Sequence, residues 1–311
     1  MDTATRIEYP KKRIIASGAF PPSSNLFWAT WSILTACNYS CTYCPIRADE
    51  YADDETIAST IKLLEDISKK KTLEVTIFGG EPTLHEKMEY ICEKLSAFSN
   101  VRIFTNLSQS ADYYNMLAEK YSCRYSVSYH PDMLSGKDFL DTLKHIQKDS
   151  IGHINVMMVT GYEKEWFCVS EYCIRNKIHH KIIPIYALGD KSKFIKSVQY
   201  SHRDDVIPFY DTQIVRGDHQ VIKMTDQECE LYDTNKFKGY ICYKRETSCF
   251  IDHAGHVYGC LQDMNHGICT NVHDPYTFSI EKQCQYDNCI CENYIPKEIE
   301  IGFADKYLSI I

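Results

Sequence analysis

The chain has 311 residues, 44% of them hydrophobic, and a formal net charge of −8. That length suits one large domain, or a main domain with a small appendage, and the apolar share is ample for a core. The mild acidity leaves no electrostatic footprint for nucleic acid and there is no basic run for a membrane surface, which argues against both as main partners. The amino-terminal stretch MDTATRIEYPKKRIIASG lacks the apolar core of a secretory signal, and no apolar run is long enough for a membrane span, so a cytoplasmic location is expected.

From residue 27 the pattern alternates. Residues 27–36 read as an apolar strand, and 54–69 carry helical periodicity. Residues 73–80 form a buried strand ending in glycines, followed by a helix over 84–97 and a strand over 101–106. A helix over 111–120 and a strand over 123–130 come next. Ser135 is placed to cap a further helix. A strand over 153–160, a helix over 164–176 and a strand over 180–188 close the series. Apolar strands alternating with amphipathic helices imply a parallel sheet covered by helices, which right-handed crossovers curl toward a barrel. The expected fold is α/β, a partial (β/α)6 barrel of the TIM type.

The rhythm stops near residue 190. A short helix is expected over 224–235, and a Cys-rich tail with turn signals at 252–255 and 264–267 follows it. Three segments are therefore expected: 1–26, a barrel over 27–225, and a small α+β extension over 226–311.

Fifteen Cys in a chain with no secretory signal point to metal or catalysis rather than disulfides. Cys92, Cys123, Cys168 and Cys173 are isolated in apolar or amphipathic segments and read as packing residues. The rest fall into two groups, within 37–44 and 229–291.

The first group reads Cys37-Asn-Tyr-Ser-Cys41-Thr-Tyr-Cys44, on a loop after the first strand. Thiolate is the usual protein ligand of iron–sulfur clusters. Three thiols can hold three irons of a cubane and leave the fourth open, and an open metal position is where chemistry happens. Zinc is the rival for these thiols alone, but it would want a fourth close Cys or His, and none is near in sequence.

This C-x3-C-x2-C spacing, with Tyr43 before the last Cys, resembles the signature of the radical S-adenosylmethionine (SAM) superfamily. The resemblance extends over residues 27–190 in strand order. Phe78-Gly79-Gly80-Glu81-Pro82 resembles the family's GGEP motif, which implies glycines that let the ligand approach and a Glu81 that binds the methionine ammonium. Thr105 and Asn106 resemble the position that supports the ligand's polar groups. Ser128 and His130 resemble positions near the ribose and the methionine carboxylate, with Asn155 a further candidate. His130-Pro131-Asp132 can also be read as a plain turn. The resemblance implies reductive cleavage of SAM to a 5′-deoxyadenosyl radical that takes a hydrogen atom from substrate, with the protein orienting substrate and excluding water. A flavodoxin- or ferredoxin-like electron donor is implied too.

In the tail, twelve residues separate Cys242 from Gly255 and four separate Gly255 from Cys260. This C-x12-G-x4-C pattern resembles the opening of the SPASM and twitch extensions of radical SAM enzymes. Physically it reads as a hairpin, FIDHAGHVYGC, whose turn brings two thiols to one end. One auxiliary 4Fe–4S cluster is expected, held by Cys242, Cys260 and two of Cys284, Cys289 and Cys291, with a zinc knuckle as the alternative. Cys249, just before the hairpin and outside the C-x12-G-x4-C spacing, reads as a further cluster ligand, a packing residue or a candidate hydrogen-atom donor. The expected substrate is a small molecule, a sugar or a peptide. The 26 residues before the barrel are too few for a separate leader-binding domain. An oxidation, as dehydrogenation or cross-link, is the favoured outcome. Epimerisation or peptide maturation with a Cys donor comes next, then activation of a glycyl-radical partner, then a non-catalytic redox module.

Overall fold

The computed structural model describes residues 15–17, 25–44, 46, 48–185, 212–215, 221–224, 238, 241–242, 244–274, 282–286 and 297–298. The chain divides into two compact units. One comprises Asn25–Phe209 and Thr247–Phe278; the other comprises Met1–Ser24, Tyr210–Glu246 and Ser279–Ile311. Thr247–Phe278, which the sequence placed in the tail, thus groups with the barrel strands.

In chain order, β1 (Ile15–Ser17) lies in the second unit. The first unit then runs β2 (Leu26–Leu34), α1 (Asp54–Ser68), β3 (Thr72–Gly79), α2 (Met88–Ser96) and β4 (Asn100–Thr105). It continues with α3 (Ala111–Tyr121), β5 (Arg124–Tyr129), α4 (Gly136–Leu143), β6 (Ile151–Met158), α5 (Glu163–Arg175) and β7 (His180–Pro184). Strands β2 to β7 are neighbours in sequence order and all parallel. Sequential parallel strands with right-handed crossovers place every helix on one face. The expected β/α alternation is what the sheet shows. Residues 186–188 and 225–235, where the last strand was to end and a helix was expected, lie outside the described residues.

Local chemistry starts the helices. Asp53, Ser110 and Ser135 each accept a hydrogen bond from the backbone three residues on, at 2.8, 3.3 and 3.2 Å. Each helix then buries one stripe, such as Ile57, Leu64 and Ile67 on α1. Leu73, Val75 and Ile77 of β3, and Tyr125, Val127 and Tyr129 of β5, meet that layer. Cys92, Cys123 and Cys173 are buried as expected, whereas Cys168 is exposed on α5.

The remaining strands divide between the units. β8 (Thr212–Val215), β9 (Val221–Met224), β10 (Ile241–Cys242), β14 (Lys282–Gln283) and β15 (Lys297–Glu298) join β1 in an antiparallel six-stranded sheet. β11 (Ser248–Ile251) instead extends the barrel sheet, parallel to β2, from Ser248 opposite Trp28 to Ile251 opposite Trp31. β12 (His256–Tyr258) returns beside β11, and β13 (Thr270–Asn271) beside β12. The expected hairpin is therefore present, with Gly255 at φ +79° in its turn.

The ends of β2 and β3 touch closely. Gly80 N–H donates to Leu34 O at 3.1 Å and Glu81 N–H to Ala36 O at 2.8 Å. A Cβ on Gly79 would lie 2.1 Å from Leu34 O, and one on Gly80 would lie 2.0 Å from Ala36 O. The glycines admit a neighbouring backbone here. Gly80→Ala should therefore destabilise the fold by about 3 kcal/mol or more, because rigid backbone must move. Gly161→Ala has nothing within 4 Å of the new Cβ, although its φ is +90°. It should cost only about 1–2 kcal/mol of conformational strain. Chemical denaturation of the two variants checks this; equal losses would disprove the close-approach argument.

Candidate active site

The thiols sit on a loop whose ends are pinned. Thr35 N–H donates to Glu50 O at 2.8 Å, Ala52 N–H to Ile33 O at 2.9 Å, and Leu34 bridges Tyr51. The loop leaves the C-terminal end of β2, where active sites of β/α barrels lie. Cys37 is exposed, Cys41 buried and Cys44 intermediate, and none is in a disulfide.

Two neighbouring strand ends hold the loop. After β4, Asn106 Nδ2 donates to Asn38 Oδ1 at 3.0 Å and lies 3.9 Å from Cys37 Sγ. After β5, His130 Nδ1 lies 3.5 Å from Cys41 Sγ and 2.6 Å from the Tyr43 hydroxyl. The Tyr43 and His130 rings are near parallel, with centroids 6.1 Å apart. Burial holds His130 neutral, its pKa pushed down to about 4 against the charge of Asp132. Burial, and then the charge of Asp132, push the metal-free Cys41 thiol up to about 11. A bound metal would reverse that preference by deprotonating the thiol outright.

Glu81 has no exposed surface. Its Oε1 accepts from Thr83 N at 3.1 Å, Thr83 Oγ1 at 2.6 Å and Thr105 Oγ1 at 2.9 Å, and its Oε2 accepts from Asn106 N at 2.7 Å. Burial pushes its carboxyl up, and these donors pull against that. Glu81 and Thr105 thus join the ends of β3 and β4 from within.

The sheet face opposite the helices mixes polar and aromatic side chains. Ser126 Oγ lies 3.3 Å from His153 Nδ1, and Trp28 Nε1 donates to Thr76 Oγ1 at 2.9 Å. Ser128 and Asn155 are level with each other on β5 and β6, and Asn155 bonds His153. Phe250 of β11 meets Phe78 of β3 edge-on at 5.3 Å on this face. Cys249, its neighbour in a strand, points the other way and is 1% exposed within the core. That placement sets it on the same side of the sheet as Ala29 of β2, among the packed side chains.

Of the tail ligands, Cys260 belongs to the first unit and caps the short helix Leu261–Asn265, its Sγ accepting from Asp263 N at 3.4 Å. Cys242 and Cys284 belong to the second unit. There β10 pairs with β14, Cys242 opposite Lys282, two residues before Cys284. Cys289 and Cys291 lie outside the described residues. Among the tail histidines, His253 pairs with Glu50 at 2.9 Å and His256 with Asp252 at 3.0 Å.

Residues 31–167 match the family model described as the radical SAM superfamily. This segment is a radical SAM domain. Over 173 residues the chain is 24% identical to 7-carboxy-7-deazaguanine synthase of Clostridium acetobutylicum, covering 55% of this chain and 78% of that protein. Its fold is similar to anSMEcpe with bound AdoMet (13% identity, TM-score 0.56, 80% of this chain and 79% of that one). It is also similar to Streptococcus suis SuiB bound to SAM (14% identity, TM-score 0.53, 81% of this chain). The chain spans 64% of SuiB, just under two thirds of its length.

A radical SAM domain implies a 4Fe–4S cluster and SAM as cofactors, and the donor set fits. Three thiols free of disulfides share one loop, and a cubane takes one thiolate at each of three irons. Among the described residues no three His, Cys, Asp or Glu side chains could share a single ion. No helix of the described residues is long and apolar enough to cross a membrane.

Glu81→Gln replaces one carboxylate oxygen by an N–H donor, which at the Oε2 position would face the Asn106 N–H. The variant should lose about 1–3 kcal/mol of unfolding free energy in the metal-free protein. An unchanged denaturation midpoint would show that the four hydrogen bonds do not bind the strand ends together.

Proposed function

We propose that this protein is a radical SAM enzyme that abstracts a hydrogen atom from a small molecule, sugar or peptide and completes an oxidation with help from an auxiliary 4Fe–4S cluster. The observation that carries the reading is the three-thiol loop clasped by the ends of β4 and β5, with Tyr43, Asn106 and His130 around it. Cys37, Cys41 and Cys44 would hold the first cluster. When bound, a cluster of this type with SAM supplies one-electron cleavage and hydrogen-atom abstraction, the hard chemistry of the reaction.

The chain's own residues orient and shield. Asn106 and His130 keep the thiols in place from two sides, and Glu81 fixes the strand ends beneath Asn106. Ser128 and Asn155 offer hydrogen bonds on the sheet face opposite the helices, where a ligand's ribose or a substrate would meet them. His153, pushed down to about 4 by burial and then by Arg102 and Lys181, stays neutral there. Two structural neighbours hold peptides, SuiB its precursor peptide SuiA and anSMEcpe the Kp18Cys peptide, which supports a peptide among the substrate classes.

Cys242, Cys260 and two of Cys284, Cys289 and Cys291 would hold the auxiliary cluster, in a SPASM- or twitch-like extension. The core position of Cys249 takes away the support for an epimerase that would use it as hydrogen donor. A flavodoxin- or ferredoxin-like protein would deliver the electron.

Anaerobic reconstitution tests the reading. The wild type should hold about seven to eight irons, two cubanes, and form 5′-deoxyadenosine from SAM under reduction. The triple change Cys37→Ala, Cys41→Ala and Cys44→Ala should lose about half the iron and all cleavage. Cys242→Ala with Cys260→Ala should lose the other half and keep cleavage without substrate. Stoichiometric zinc and no cleavage in the wild type would establish a binding module instead.

A further inference from the structure

Asp132 stands three residues beyond β5 and reaches the centre of the cysteine loop. Its Oδ2 accepts from Thr42 N at 3.2 Å, with Thr42 Oγ1 at 3.5 Å. Thr42 lies between Cys41 and Tyr43, the two residues that His130 touches. The other oxygen, Oδ1, is buried and has no hydrogen-bond partner among the described residues. No ion pair to Asp132 occurs among the described residues either. A half-buried carboxylate beside thiols, with one oxygen buried and unsatisfied and no cation against it among the described residues, carries an electrostatic cost.

We propose that Asp132 is a positioning residue that fixes the Cys41–Cys44 turn through Thr42 and, by its charge, lowers the reduction potential of the cluster those cysteines hold. This rests on the radical SAM reading above and adds a residue that neither the cysteine motif nor the GGEP motif contains. The physical reason is simple. Reduction adds one negative charge to the cluster, and a fixed carboxylate nearby opposes it, since net charge near a cluster is one of the levers on its potential. The electron is then harder to place on the cluster and more strongly reducing once there. The Thr42 hydrogen bond keeps the charge at a set distance, so the charge and its placement come from one side chain.

The test is potentiometric. Reconstituted wild type, Asp132→Asn and Asp132→Glu are titrated, following the cluster whose spectrum responds to added SAM. Asn keeps an acceptor for Thr42 N–H but removes the charge. It should shift the reduction equilibrium on the order of tenfold toward the reduced cluster, about 59 mV more positive for a one-electron couple. Asp132→Glu keeps the charge and should stay near the wild type. The midpoint does not depend on the loaded fraction, so partial loading still gives the answer. An unshifted or more negative Asn midpoint overturns the proposal. So does complete failure of both variants to load, which would make Asp132 purely structural. If the wild type itself holds no SAM-responsive cluster, the radical SAM reading fails instead, and iron content tells the two failures apart.

Discussion

The site depends on one close backbone approach. Gly80 and Glu81 donate to Leu34 and Ala36, the residues from which the cysteine loop departs. Two consecutive hydrogen bonds carry the pairing of β2 and β3 past the sheet's end, where the strands would otherwise part. The loop therefore leaves from a fixed point, and its thiols begin from a known height above the sheet. Only glycine can occupy positions 79 and 80, because the space for a side chain is filled by carbonyl oxygens. Pre-organisation of this kind matters for a metal site, since ligands on a wandering loop lose affinity to the entropy of ordering it.

Burying Glu81 is the electrostatic counterpart of that contact. A carboxylate with no exposure is tolerable only if its oxygens are satisfied, and four donors from two loops converge on it. The same bonds orient Asn106, whose amide then reaches Asn38 across the gap. A carboxylate inside the protein thus sets the direction of a buried amide beside the cysteine loop. Leu107 follows with φ +63°, a left-handed conformation uncommon for leucine, and its N–H is held by Thr105 Oγ1 at 3.0 Å. The turn after β4 is over-determined by this network, consistent with strain stored where geometry has to be exact to within fractions of an ångström.

The parallel sheet was legible because strands that feed a helix layer are apolar on alternate residues and the helices between them are amphipathic. Ser135 and its capping role could be named from residue type alone. The cysteine loop was legible for a different reason: local spacing of identical ligands survives any uncertainty about tertiary structure. What could not be read was the partner of each side chain. The glycines of Gly79-Gly80 signal close approach, but not of what. Cys249 was indistinguishable from an active thiol, since a strand's facing depends on register with β2, which the tail's sequence does not announce. Cys168 sat in a segment amphipathic enough for either face of α5. Asp132 looked like part of a turn, and only the fold brings it 90 positions back along the chain to Thr42.

The two faces of the barrel sheet carry opposite burdens. Toward the helices, β3 to β6 present apolar side chains that are almost wholly buried. Toward the other face the same strands present Thr76, Arg102, Ser126, His153 and Asn155. Polar groups in a sheet interior destabilise unless they find partners, and several here partner one another, as Ser126 does His153 and Trp28 does Thr76. Arg102 lies over the Trp28 ring at 5.8 Å, a contact that tolerates partial desolvation of the guanidinium. A face meant only for packing would gain stability from Val and Ile at these positions. The hydrogen-bonding groups kept there instead form a network across β2 to β6.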